Sequence, residues 1–156
     1  MDIRIVGAQQ RIDGLEAKAK SDPVKSDLEL QSQLARFLCV LCSGFIEQAV
    51  IQTLTSYAEK RSHQNVARYI GTSVARLWNA KFEDILTILG QFSPAWREHF
   101  AINTPPEVKD AIDSIVNNRN QIAHGAQTGI SLATFMDYYK RVKLFLASLD
   151  AFVDTQ

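Results

Sequence analysis

From Phe37 to Ile51 the chain is apolar nearly all round a helical wheel. That run overlaps a stripe of Leu34, Phe37, Leu38, Leu41 and Phe45, which predicts one long helix from about Asp27 to Lys60. A helix apolar on all sides is a buried one, so the rest of the chain must cover it. The remaining apolar residues recur at three- and four-residue steps. Val66, Tyr69, Ile70, Val74 and Leu77 mark a further helix, and Phe82, Ile85, Leu86, Leu89 and Phe92 the next. Val108, Ile112, Ile115 and Ile122 mark one that opens at Pro105-Pro106, and the last carries Phe135, Tyr138, Tyr139, Val142, Phe145, Leu146, Leu149 and Phe152. Ile3 to Lys20 reads as a helix weakened by Gly7 and Gly14. No stretch alternates with period two, so the expected fold class is all-α, a helical bundle of five to six helices.

The punctuation between these stripes is helical too. Ser26-x-x-Glu29 has the capping-box pattern, and Thr104-Pro105-Pro106-Glu107 repeats it with proline at the first helical position. Ser93-Pro94 opens a short helix, Ser131 caps the last one, and Gly125 is placed to end the preceding helix as a left-handed cap. At 156 residues there is room for a single domain, residues 1–156, divided into an N-terminal helix or extension over 1–26 and a core bundle over 27–153.

Seventeen Lys and Arg balance seventeen Asp and Glu. That balance argues against a nucleic-acid coat protein, whose affinity comes from many phosphate-neutralising side chains, and confines any RNA contact to one small site. Cys39 and Cys42 have the spacing of a redox pair but lie mid-helix among Phe37, Leu38 and Leu41, which makes them core residues. Met1–Gly14 has no uninterrupted apolar segment, and the run Phe37–Cys42 is far shorter than the ~20 residues of a membrane span. The expectation is a reducing cytoplasm and no membrane. Trp78 and Trp96 read as packing residues between helices.

Two places break the apolar pattern. Arg119 falls within about 20° of the line through Val108, Ile112 and Ile115, so its guanidinium must be paired or line a cavity. Asn120 and His124, four apart, share the adjacent ridge. In the long helix Ser43 and Glu47 stand four apart amid apolar residues, and a Glu47–Arg119 ion pair across two packed helices is expected; the alternative is a Glu47 that faces solvent or a subunit boundary. His124 has two readings as well: a side chain bonding the terminal carbonyls of its helix, or an imidazole that titrates near neutrality and serves as acid or base.

The segment Asn118-Arg119-Asn120-Gln121-Ile122-Ala123-His124-Gly125 resembles the signature of the HEPN superfamily: an Arg, a polar residue, three variable residues and a His near the end of a late helix. The long helix with Ser43, Gly44 and Glu47 is similar to the second helix of the RiboL-PSP-type branch, and the layout is compatible with the family from about Leu28 to Phe152. The resemblance implies a metal-independent endoribonuclease, often a toxin or antiviral effector, with no cofactor and with its site formed between two protomers of a homodimer. It implies catalytic roles for Arg119, Asn120 and His124, support from Glu47 and Ser43, and an RNA substrate. An antitoxin or other regulatory protein is a further expected partner. Many HEPN-like domains instead bind RNA, nucleotides or proteins without cutting, and that reading stands as the alternative. On the last helix Tyr138, Tyr139, Lys140 and Arg141 set aromatics beside cations, either to stack bases and steer phosphates or as half core and half solvated face.

Overall fold

The computed structural model describes residues 3–156, and the described residues form helices and connections with no strand. In chain order the helices are α1 (Ile3–Ala19), the single turn α2 (Asp22–Lys25), α3 (Leu28–Arg61), α4 (Gln64–Val74), α5 (Phe82–Phe92), α6 (Pro94–Asn103), α7 (Pro106–Ala123) and α8 (Leu132–Asp154). Seven of them are ten residues or longer, slightly more than the five to six expected, with the N-terminal α1 and the short α6 that opens at Ser93-Pro94 both full members of the count.

The long apolar helix is the axis of the fold. α3 packs against α1, α4, α7 and α8, and Leu38, Cys39, Cys42, Ile46, Val50 and Leu54 are fully enclosed. α3 is also long and apolar enough to cross a membrane, but half of its most apolar window is buried inside the fold, as in a core helix. Its first turn is capped by Asp27 rather than Ser26: the Asp27 carboxylate accepts from the Leu30 N–H at 3.0 Å. A carboxylate at this position also meets the positive end of the helix dipole. Cys39 and Cys42 are buried free thiols, and burial pushes the Cys39 pKa up to about 12, the opposite of what a redox pair needs.

α1 is a structural member of the bundle. Ile5, Ile12 and Ala19, seven residues apart, are buried in the common core. Asp13 fastens the helix to α8, accepting from the Tyr139 hydroxyl at 2.9 Å and from the Lys143 ammonium at 3.0 Å. On the other side, α6 and α8 close over an aromatic cluster in which Trp96 stacks on Phe92 and meets Tyr57 and Phe152 edge-on.

Three expectations about apolar residues fail, the first at Phe37, which is 46% exposed at the start of the run expected to be buried all round. Trp78 is 75% exposed and packs between no helices. In α4, Val66 and Tyr69 face outward while Ala67 and Val74 are buried. The reason is that α4 packs mainly against α3, and one main partner covers one narrow face.

Candidate functional site

α7 begins at Pro106, whose missing N–H is harmless in a first turn, with Pro105 at the cap. Thr104 ends α6 and makes no cap bond to α7, so that half of the expected capping box is absent. Ala111, Ile112, Ile115 and Val116 bury the inner face of α7 against the bundle. Arg119 continues that face one turn further, where the packing opens, and is half-buried.

Among the described residues the guanidinium meets no carboxylate there. Its Nη1 donates to Asn79 Oδ1 at 2.9 Å and to Asn120 Oδ1 at 3.0 Å. Asn79 in turn donates its backbone N–H to Glu47 Oε1 at 2.9 Å. The expected Glu47–Arg119 ion pair is therefore replaced by a bridge, with a neutral amide between the two charges. Asn79 has φ +51°, the left-handed region that asparagine enters more readily than other side chains. That conformation lets one residue offer its N–H to α3 and its side chain to α7. The connection is held at a second point by α7, where Asp113 Oδ1 accepts from the Phe82 N–H at 2.7 Å.

Removing the Asn79 side chain separates these roles. Asn79→Gly keeps the left-handed backbone and the bond to Glu47, whereas Asn79→Ala keeps a Cβ in a conformation that alanine adopts less readily than asparagine or glycine. Urea unfolding should find the alanine variant less stable than the glycine variant by about 1–2 kcal/mol. Equal stabilities would mean that the backbone at 79 relaxes without cost.

His124 sits at the C-cap of α7. Gly125 follows with φ +75°, its N–H donating to the Ile122 carbonyl at 3.0 Å while the Ala126 N–H reaches the Gln121 carbonyl at 2.9 Å. This is a Schellman closure, in which backbone groups alone satisfy the helix end. The His124 imidazole is exposed and, among the described residues, engaged by no hydrogen bond, so it does not bond the terminal carbonyls. Arg119, Asn120 and His124 thus crowd the last turn and a half of one helix, about 7.5 Å from first to last along the axis.

The RiboL-PSP-HEPN family model matches residues 8–155. The chain belongs to the RiboL-PSP-HEPN family. No curated protein and no solved structure matched it. The family match begins inside α1, whereas the resemblance read from the sequence begins at about Leu28; the buried Ile12 and the Asp13–Tyr139 bond explain why this helix is part of a HEPN domain.

Other expected contributors of this HEPN chain lie elsewhere. Ser43 is buried one turn before Glu47, and no hydrogen bond engages its hydroxyl among the described residues, so the network ends at Glu47. Tyr139 is 1% exposed, stacked on Phe135 and bonded to Asp13, which removes it as a base-stacking residue. Burial and the Asp13 bond raise its phenol pKa well above the usual range. Tyr138 packs against the core, Arg141 pairs with Asp137 at 2.8 Å, and Lys140 is exposed. Asn79 and Asp113, by contrast, have no place in a helical stripe; the only sign of Asn79 in the sequence is an asparagine in a short connection between two helices.

Proposed function

We propose that this HEPN domain is a metal-independent endoribonuclease of the toxin or antiviral type, acting in the cytoplasm as a homodimer whose facing α7 helices share one cleft. The observation that carries the reading is the way Arg119 is held. Among the described residues both of its hydrogen bonds run through Nη1 to neutral amides, so its charge is uncompensated and the Nε and Nη2 donors of the fork remain for an anion. A phosphodiester is the anion that such a fork fits bidentately.

The chemistry follows from two imidazoles. One His124 takes the proton from a ribose 2′-hydroxyl, the 2′-oxygen attacks the adjacent phosphorus, and the P–O5′ bond breaks. The His124 of the second protomer protonates the departing 5′-oxygen. Arg119 holds the charge that gathers on the non-bridging oxygens, and Asn120, bonded to Arg119, orients it. The products are a 2′,3′-cyclic phosphate and a 5′-hydroxyl. In a single protomer His124 is exposed and Arg119 only half-buried at the same helix end, which is why the reading includes a second copy.

The test is cleavage of a mixed RNA pool in excess EDTA with analysis of the new ends. Cyclic phosphate ends formed in chelator support the nuclease. RNA left intact at high protein concentration would favour the non-cleaving module that binds RNA, a nucleotide or a protein through the same groove. An antitoxin or other restraining protein belongs with the toxin reading, since an unrestrained ribonuclease would damage its own cell.

A further inference from the structure

Charge is evenly balanced over the chain but not along it. Between Lys60 and Phe82 stand Lys60, Arg61, Arg68, Arg76 and Lys81, with no Asp or Glu. Two of these cations are spent on the C-terminus: Lys60 pairs with Asp154 at 2.6 Å and Arg61 donates to the Gln156 carbonyl at 2.6 Å. Among the described residues no ion pair engages the other three, and Arg68 and Arg76 are exposed. The same segment exposes two large aromatics, Tyr69 and Trp78, each 75% accessible. Tyr69, Ser73 and Arg76 follow one another at four- and three-residue steps, which sets them along one face of α4 and its final turn. Cations alternating with exposed rings on a surface otherwise neutral are the footprint of a single-stranded nucleic acid: phosphates follow the cations and bases stack on the rings.

The position of Trp78 ties this face to the site. Its neighbour in the chain is Asn79, which bonds Arg119 directly. Beside Trp78 lies an open groove of about 420 Å³ between the end of α4 and α5, bordered by Arg76, Leu77, Thr87 and Gln91. Asp84 also reaches this groove, and its carboxylate accepts from the Lys81 N–H at 3.2 Å, so the polar groups on the α5 side suit a base edge better than a phosphate.

We propose that α4 and the turn after it form a track for single-stranded RNA that leads to Arg119, with a base flanking the cut site stacked on Trp78 and the backbone steered by Arg68 and Arg76. This rests on the ribonuclease reading and adds where the strand runs. The partner is committed to RNA rather than protein because acidic residues are absent from the segment and cations alternate with its rings.

The experiment uses the full chain and a short 2′-O-methyl oligonucleotide, which lacks the attacking hydroxyl and is bound without being cut. The chain has two tryptophans and Trp96 is 5% exposed, so emission open to acrylamide belongs to Trp78. Titration should quench that emission. Trp78→Phe should bind nearly as well as the wild type, Trp78→Ala roughly 5- to 150-fold more weakly, and Arg76→Gln with a salt slope smaller by about one. Circular dichroism verifies that the variants fold, as substitutions at exposed positions should. Equal affinity of Trp78→Ala in a wild type that does cleave RNA overturns the track and leaves the nuclease standing. Trp78 already shielded from acrylamide in the free protein overturns it in favour of a subunit contact. A chain that neither binds the oligonucleotide nor cuts RNA removes both readings.

Discussion

Replacing His124 with alanine should lower RNA cleavage by roughly 10²–10⁴-fold, the usual contribution of a positioned acid or base, and leave stability within about 0.5 kcal/mol of the wild type. The second half follows from the geometry of the helix end. Gly125 and Ala126 close α7 with backbone bonds, and the imidazole is exposed, so alanine leaves the cap in place. A loss of activity with an unchanged unfolding curve is therefore a chemical loss. The composite site makes a sharper demand. If one cleft uses an imidazole from each protomer, a heterodimer of wild type and His124→Ala holds only one and is nearly inactive. Activity in a fully exchanged mixture should then follow the square of the wild-type fraction. Strict proportionality to that fraction would mean that each protomer cuts alone, and an alanine variant as active as the wild type would end the nuclease reading.

What the residues disclosed in advance depended on how local the governing interaction is. The course of α3, the cap at Ser131, the turn at Ser93-Pro94 and the left-handed Gly125 are set by contacts within a few residues, and the spacing of side chains along the chain carries them. Arg119 was legible as an exception to its own stripe, and its half-buried place fits that reading. Its partner was not. The Glu47–Asn79–Arg119 bridge joins three segments through a backbone N–H and a left-handed residue, and neither has a periodicity. Tyr139 and Trp78 show the same limit in reverse. A helical stripe says that one face is covered but not by what, so Tyr139 disappears under α1 while Trp78 is left in the open where no helix arrives.

Arg119→Lys tests the least intuitive part of the site, the neutral support under a positive charge. The variant should lose roughly 10²–10³-fold in kcat with a smaller effect on KM, as expected when a group acts mainly on the charge of the transition state. Stability should fall by no more than about 1.5–3 kcal/mol, since the altered bonds are charge-assisted ones from a guanidinium to two amide oxygens and lysine keeps the charge. Lysine keeps the charge and loses the fork. An ammonium bonded to Asn79 and Asn120 stays beside those amides, whereas the guanidinium can be anchored through Nη1 and still present its other donors to a phosphate. The amide bridge matters for the same reason. A carboxylate about 4 Å from the guanidinium would attract it by about 4 kcal/mol at the effective dielectric of a protein surface, and a phosphate would have to compete with that. With Asn79 interposed, Glu47 fixes the backbone and leaves the arginine's charge available. Asn79→Asp would put a carboxylate in direct contact with Arg119 and should therefore depress kcat without loosening the fold. A lysine variant within tenfold of wild-type kcat, or an Asn79→Asp variant as fast as the wild type, would mean that a bare positive charge suffices and that the bridge is structural alone.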